Sequence, residues 1–337
     1  MIKSFELENY GPIRSLKFNN CGRINLIIGP NRSGKTLLLK ALYTAQRTIE
    51  LFKRGKNIDS DKEILFKKLY WTFQIDKIGN LVRKPDKGNL KFLMTDYDDG
   101  MFSYSFSPST EKQIVKLTNT CRPSNSNSVF LPAKEVLSLL DIIEFEREDR
   151  QVFGFDETYY DLAKALTPGG KGKNKKIFSK MRSELEEAID GRIIFSKEKE
   201  AWVFRQGNME IDINLTSEGT KKIAILDTLL GNHFLSEKSI VFIDEPEAGL
   251  HPSLLVKLLD IITSLSKAGL QFFIASHSYF VIKKLYLIAH QEQMNIPVLS
   301  FQNNPEVSAQ IDNLLEGMPQ NQIIDESIEL YTQEICL

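Results

Sequence analysis

The stretch Ile24-Asn25-Leu26-Ile27-Ile28-Gly29-Pro30-Asn31-Arg32-Ser33-Gly34-Lys35-Thr36 decides how the rest of the chain is read. Its last eight residues match G-x-x-x-x-G-K-[ST] in full, and the apolar run Ile24–Ile28 is short enough for a buried strand. A helical pattern follows, from Thr36 to Ile49, so the motif has the strand-before, helix-after context that a phosphate loop requires. Gly29 and Gly34 let backbone N–H groups curl around a phosphate. Lys35 brings a positive charge to the β- and γ-phosphates, and the Thr36 hydroxyl faces Mg²⁺. At average glycine usage a chance match in a chain of this size is on the order of 1%. ATP and Mg²⁺ are therefore the expected ligands, held by Gly29, Pro30, Asn31, Arg32, Ser33, Gly34, Lys35 and Thr36.

Around this loop the chain divides by texture. Ahead of it, Ile2, Phe5, Leu7 and then Ile13, Leu16, Phe18 alternate as two strands joined at Tyr10-Gly11-Pro12. After it, residues 69–131 read as short strands: LYWTFQI, GNLVRK, KFLMT, MFSYSF, QIVKL and SVFLP. From Lys134 to Ala188 the pattern turns helical and charged, interrupted by the lysine-rich TPGGKGKNKK at 167–176; strands resume around Arg192–Ile213. The last third alternates: helix Gly219–Leu230, strand Ser239–Ile243, helix Pro252–Ala268, strand Gln271–Ala275, helix 278–292 and a final short strand, Ile296–Phe301. Near-continuous apolar strands between helices imply a parallel sheet covered on both faces. No internal repeat is visible.

A second cluster of chemistry lies in that last third. Ser239-Ile-Val-Phe-Ile-Asp244-Glu245-Pro246 places two acids at the carboxyl end of a buried strand, where open α/β sheets bind ligands. Asp244 is the expected Mg²⁺ ligand through water, and Glu245 the general base that polarises the attacking water. The strand Phe272–Ala275 ends in Ser276-His277-Ser278, which puts His277 in line to reach a γ-phosphate. Leu215-Thr-Ser217-Glu-Gly219-Thr-Lys-Lys222 opens a helix, and a helix start is an anion site. The P-loop already fills that role, so a second such site makes sense if it reaches the nucleotide of another subunit. An ordinary Ser/Thr cap with a basic first turn stands beside that reading.

Together these residues resemble the ABC-type ATPase heads of the SMC, RecF and double-strand-break-repair proteins. The nearest resemblance is to the ATPase domain of OLD-family proteins and to the related stand-alone ATPases of bacterial defence loci. It is carried by ENYGPI (8–13) with LIIGPNRSGKT, by LTSEGTKK, by VFIDEPEAGLHP (241–252) and by IASHSYFVI (274–282). The resemblance implies an α/β ABC-ATPase head, with a P-loop parallel sheet core, an N-terminal antiparallel β lobe and a helical insert. It implies one domain over 1–337, read as an N-terminal lobe at 1–133, the insert at 134–195 and the signature, Walker B and switch-histidine lobe at 196–337. Ser217 and Gly219 become the signature that reads the γ-phosphate in trans, Ala248-Gly249-Leu250-His251 the D-loop, and His277 the switch histidine. Glu245, His277 and Lys35 are then the catalytic set.

The chain departs from that pattern in three places. VFLPAKE (129–135) sits where the Q-loop glutamine belongs but shows Lys134 and Glu135, with Gln74 a weaker candidate. The long coiled coil of SMC-type proteins is replaced by 134–190. The residues after His277 are too few for the TOPRIM nuclease domain of OLD proteins, so an effector such as a nuclease is expected on a separate chain. The expected function is an ATP-hydrolysing dimerisation switch, a homodimer or larger homo-oligomer formed through the ATP sandwich. Its output passes to nucleic acid or to the effector, in anti-phage defence or DNA maintenance.

Two other classes stay open: the nucleotide-binding subunit of a membrane transporter, and a scaffold that binds ATP with little turnover. Against the first, TSEGT stands where transporters show LSGGQ, EPEAGLHP where they show a D-loop like SALD, and no aromatic residue holds a clear adenine-stacking position just ahead of the P-loop, Tyr10 being the one loose candidate. Composition narrows the rest. The chain has 337 residues, 42% hydrophobic and 26% charged, with net charge −1, so nucleic acid would need a local basic patch. Lys171, Lys173, Lys175, Lys176, Lys221 and Lys222 are the candidates. Three scattered cysteines, Cys21, Cys121 and Cys336, argue against a disulfide framework. With no signal-like or membrane-length apolar run, a cytoplasmic location is expected.

Overall fold

Strand alternation at the start produces a hairpin, β1 (Ile2–Tyr10) and β2 (Ile13–Phe18), in a computed structural model that describes residues 1–84, 88–166, 176–303 and 307–336. The chain continues through β3 (Ile24–Ile28), α1 (Lys35–Leu51), α2 (Asp61–Phe73), β4 (Leu90–Asp96), β5 (Met101–Phe106), β6 (Lys116–Asn119) and β7 (Val129–Leu131). Next come α3 (Leu140–Phe145), α4 (Glu157–Leu166), α5 (Lys176–Ala188), β8 (Arg192–Ser196), β9 (Ala201–Gln206) and β10 (Met209–Asp212). The last third is α6 (Glu218–Gly231), β11 (Ile240–Asp244), α7 (Pro252–Lys267), β12 (Gln271–Ser276), α8 (Tyr279–Gln291), β13 (Pro297–Asn303), β14 (Val307–Asn313) and α9 (Gln322–Ile335).

These elements cluster into two compact units. The first joins Met1–Asn125 with Phe273–Leu337; the second is Ser126–Phe272. Unit one contains an antiparallel sheet in the order β2-β1-β4-β5-β6. Its register sets Leu7 opposite Leu16 and Phe92 opposite Tyr104, so the inward residues of each strand fall on one face. Phe92 and Tyr104 stack with ring centroids 4.9 Å apart, and Phe5 stacks on Phe18 at 5.2 Å. The same unit holds β14-β13-β3-β12, in which β13 runs parallel to the fully buried β3 and antiparallel to β14. In unit two, β11 runs parallel to β7, with Phe242 beside Phe130, and β10-β9-β8 form a small antiparallel sheet. The expected parallel core and N-terminal antiparallel lobe are both present, and the antiparallel β14 makes the core sheet mixed.

Several local expectations are corrected. LYWTFQI does not form a strand: Ser60 and Glu63 make a reciprocal capping box, and the helix they start buries Ile64, Leu65, Lys68, Leu69 and Thr72. That helical spacing outweighs the strand preference of Tyr70, Trp71 and Phe73. In GNLVRK, Ile78–Leu81 form a single 3-10 turn, and only Val82 bridges to a strand residue, Tyr10. QIVKL contributes only its end to β6. Ile296–Phe301 corresponds to β13 and is not the last strand, because β14 returns antiparallel along it and α9 follows. The lysines at 171, 173 and 175 lie outside the described residues.

Candidate functional site

In unit one the turn after β3 is shaped by backbone conformations that few residues adopt. Gly29 has φ 144°, Arg32 65° and Gly34 101°. A Cβ on Gly29 would sit 2.7 Å from the Phe301 Cβ and 2.8 Å from the Phe301 carbonyl oxygen, so only glycine fits. Gly34 is the N-cap of α1 and leaves the helix start open. Lys35 is buried, and its Nζ donates to the carbonyls of Gly29 at 2.8 Å and Pro30 at 3.0 Å. Ser33 is 1% exposed, and its Oγ has no hydrogen-bond partner. A buried hydroxyl without a partner is costly in a finished fold. Here it lies in a loop of curled backbone, two residues before the buried Lys35, which fits an incoming phosphate oxygen. Asn31, Arg32 and Thr36 are exposed around it. His277, exposed beyond β12, shares a groove of about 660 Å³ with Gly29, Pro30, Tyr279 and Asn321.

Unit two holds the other cluster. All of β11 is buried, and it delivers Asp244 at its carboxyl end, 8% exposed. Glu245 follows, half-buried, with φ 50°. A non-glycine residue in this left-handed region is strained by about 1–2 kcal/mol. The turn closes through Ala248 N–H to the Glu245 carbonyl at 3.0 Å and Leu250 N–H to the Glu247 carbonyl at 3.1 Å. The helix α6 starts beside it. Ser217, exposed, caps α6 by accepting from Thr220 N–H at 3.2 Å. Gly219 is buried, and a Cβ there would lie 2.7 Å from the Gly249 carbonyl oxygen. Gly219 is therefore required by close packing against Gly249 of the same unit.

Lys221 and Lys222 differ from their expected role as exposed phosphate contacts: both turn inward. Lys221 is 5% exposed, and its Nζ lies 2.6 Å from Ser138 Oγ and 3.5 Å from Glu135 Oε1. Lys222 Nζ donates to the carbonyls of Ala248 at 2.7 Å and Glu245 at 3.3 Å. Burial holds the Lys222 ammonium below the usual lysine range, against the opposing pull of Glu247, Glu218, Glu245 and Asp244. Because β7 runs parallel to β11, the segment after Leu131 emerges at the same edge as Asp244. Lys134 accordingly lines a small cavity with Asp244 and Lys222. At the expected Q-loop position the structure thus has a lysine beside Asp244 and a glutamate paired to α6. Gln74 instead caps the C-terminus of α2.

Tyr10 is withdrawn as a nucleobase platform, since it is 0% exposed and accepts from the Tyr104 hydroxyl at 3.3 Å. Tyr159, which nothing in the sequence pattern marks, joins the second cluster. Burial and the carboxylates of Asp156 and Asp244 push its hydroxyl up to about 12, so it stays protonated. Among the described residues there is no group of three or more His, Cys, Asp or Glu placed to hold a metal by themselves. The three cysteines are unbridged, and no helix among the described residues is long and apolar enough to cross a membrane.

The chain is similar to known proteins at three levels. A segment of 64 residues is 38% identical to the DNA replication and repair protein RecF of Lactobacillus johnsonii, covering 19% of this chain and 16% of that protein. The fold matches an SMC head bound to the C-winged helix domain of ScpA, with TM-score 0.57 and 13% identity over 94% of this chain and 98% of the other. It also matches an SMC head with an extended coiled coil, bound to the C-terminal domain of ScpA derived from Pyrococcus furiosus. That match has TM-score 0.52 and 12% identity over 96% and 98% of the two chains. Residues 70–283, more than half of the chain, match one family as a whole; this span includes Ser217, Gly219, Asp244, Glu245 and His277, while Gly29–Thr36 precede it. By that match, on a fold shared with SMC heads, the chain belongs to the ABC-type ATPase family described as "AAA domain, putative AbiEii toxin, Type IV TA system".

Proposed function

We propose that this chain is a Mg²⁺-dependent ATPase that closes as a dimer on ATP and reopens on hydrolysis. The observation that carries the proposal is that one chain holds two separate features whose chemistry suits an anion. One is the P-loop, with the orphaned Ser33 hydroxyl and the buried Lys35. The other is the exposed, Ser217-capped start of α6, with Gly219 packed on the D-loop. A chain with its own P-loop has use for the second when it meets the nucleotide of another subunit. Ligand contacts made only in the closed state shift the equilibrium toward closure by that difference in affinity.

In this reading Lys35 and the loop amides hold the β- and γ-phosphates, and Ser33 donates its free hydroxyl to a phosphate oxygen. Thr36 and Asp244 are the residues for Mg²⁺, whose chemistry is to neutralise phosphate charge. Glu245 accepts a proton from the attacking water, and His277 donates to the γ-phosphate. The fold and family likeness support a control function on that cycle. The family description names a toxin of a type IV system, the RecF relative is named for DNA replication and repair, and the SMC-head structures carry a bound ScpA segment. The output here goes to a separate effector such as a nuclease, or to nucleic acid, in bacterial defence or DNA maintenance. OLD-like kinship and a cytoplasmic location belong to the same proposal. The test is light scattering on a sizing column with ATP and Mg²⁺. Glu245→Gln, which traps ATP, is expected to double in mass, and adding Ser217→Arg to abolish that; unchanged mass on ATP binding overturns the switch.

A further inference from the structure

Two adjacent lysines anchor the first turn of α6 in opposite directions. Lys221 reaches Glu135 and Ser138 in the segment after β7, and Lys222 reaches the turn that carries Glu245. We propose that Lys222 is a positioning residue that transmits engagement of the signature helix to Glu245 of the same subunit. The inference rests on the reading of Glu245 as general base.

Glu245 holds φ 50°, a conformation that persists in a non-glycine residue only where its surroundings over-determine it. Its carbonyl has two acceptor positions, and both are used: one by Ala248 N–H at 3.0 Å, the other by Lys222 Nζ at 3.3 Å. The same ammonium holds the Ala248 carbonyl at 2.7 Å, so one side chain pins both ends of the 245–248 turn. The Glu245 carbonyl cannot turn without breaking these bonds, and they hold in place the backbone from which the Glu245 side chain departs.

The other end of the linkage is rigid. Gly219 packs so closely on Gly249 that a Cβ would meet its carbonyl oxygen at 2.7 Å, and Glu218 lies against the same glycine. The first turn of α6 and the 245–250 turn are thus joined at two points, the Gly219–Gly249 contact and the Lys222 bonds. A nucleotide drawn against Ser217 and Gly219 moves the helix start, and the ammonium about one turn further along carries that motion to the Glu245 carbonyl. Lysine suits this role because its flexible stem presents several donors from a single charged atom.

The test compares wild type, Lys222→Met, Lys222→Arg and Glu245→Gln in the full chain. Methionine keeps the length of the stem and removes the donors. Lys222→Met is expected to lower kcat about tenfold or more, as misplacement of a catalytic group does. KM for ATP should stay within about twofold, because the P-loop is untouched. Lys222→Arg is expected to recover a large part of the rate. Hydrogen–deuterium exchange gives a readout independent of turnover. ATP with Mg²⁺ should slow exchange at 29–36 and at 244–250 in wild type, but only at 29–36 in Lys222→Met. A wild-type rate in Lys222→Met, no ATP-induced slowing at 244–250 in wild type, or loss of ATP binding in Lys222→Met would each overturn the proposal. If Glu245→Gln turns over normally, it is the parent reading of Glu245 that fails. If Glu245→Gln is inactive while Lys222→Met is fully active, only the linkage fails.

Discussion

The P-loop of unit one and the Glu245 turn of unit two reach comparable precision by opposite means. The P-loop is contiguous: eight residues, two of them glycines at positive φ, fold on themselves, and Lys35 bonds to carbonyls five and six residues before it. The Glu245 turn is assembled from three distant segments, 135–138, 217–222 and 244–250, held by Lys221, Lys222 and the Gly219–Gly249 contact. A contiguous site is robust to change elsewhere in the chain. An assembled one moves when any of its parts moves, which is what a sensor of a second subunit requires.

The largest expected effect is on the contiguous side. Lys35→Ala removes a buried ammonium from the phosphate loop, and ATP affinity should fall about 100-fold or more by calorimetry, as loss of two charge-assisted hydrogen bonds implies. The Gly29 and Pro30 carbonyls lose their donor in the same change, so the melting midpoint should fall modestly, and the loss of ATP binding is read on the folded protein. Next is Glu245→Gln, which should lower kcat by about 10²–10⁴ while ATP still binds. If both variants lose ATP binding equally, the two regions are not the separate devices described here.

Gly219→Ala probes the assembled side. The added methyl meets backbone at 2.7 Å, so the turn must shift, with a stability loss of about 1–3 kcal/mol that lowers the melting midpoint. ATP affinity at the P-loop should hold; a parallel loss there would contradict the contrast. The smallest effect is expected from Ser33→Ala. Removing a buried hydroxyl that has no partner should leave stability unchanged or raise it by up to about 1 kcal/mol. The same change should weaken ATP binding by about three- to tenfold, the worth of one hydrogen bond. If stability falls and affinity does not, the hydroxyl belongs to the fold and not to the ligand.

The same contrast governs how much could be read from sequence. Residues Gly29–Thr36, the Asp244–Glu245 strand end and Ser217 at a helix start declare themselves through local spacing and composition. The β1–β2 hairpin and the buried β3 and β11 follow from alternation and apolar runs. What escaped is non-local. LYWTFQI looks like a strand by composition, and only its burial partners reveal a helix. Lys221 and Lys222 look like a solvated basic turn until their acceptors, far away in the chain, are known. Lys134 reaches the neighbourhood of Asp244 because β7 runs parallel to β11, a pairing that no residue in VFLPAKE announces. Tyr10 reads as an available ring ahead of the P-loop because sequence does not show that the fold buries it, with its hydroxyl bonded to that of Tyr104.

The central claim is that each nucleotide is read by two chains, and complementation tests it most directly. Lys35→Ala disables a P-loop and leaves a signature; Ser217→Arg disables a signature and leaves a P-loop. Each variant alone is expected to be inactive as an ATPase. Mixed in equal amounts, they are expected to recover turnover, because a mixed dimer contains one composite site with both parts intact. A mixture as inactive as its separate components, with both chains folded, would show that one chain reads its nucleotide alone and would contradict the account.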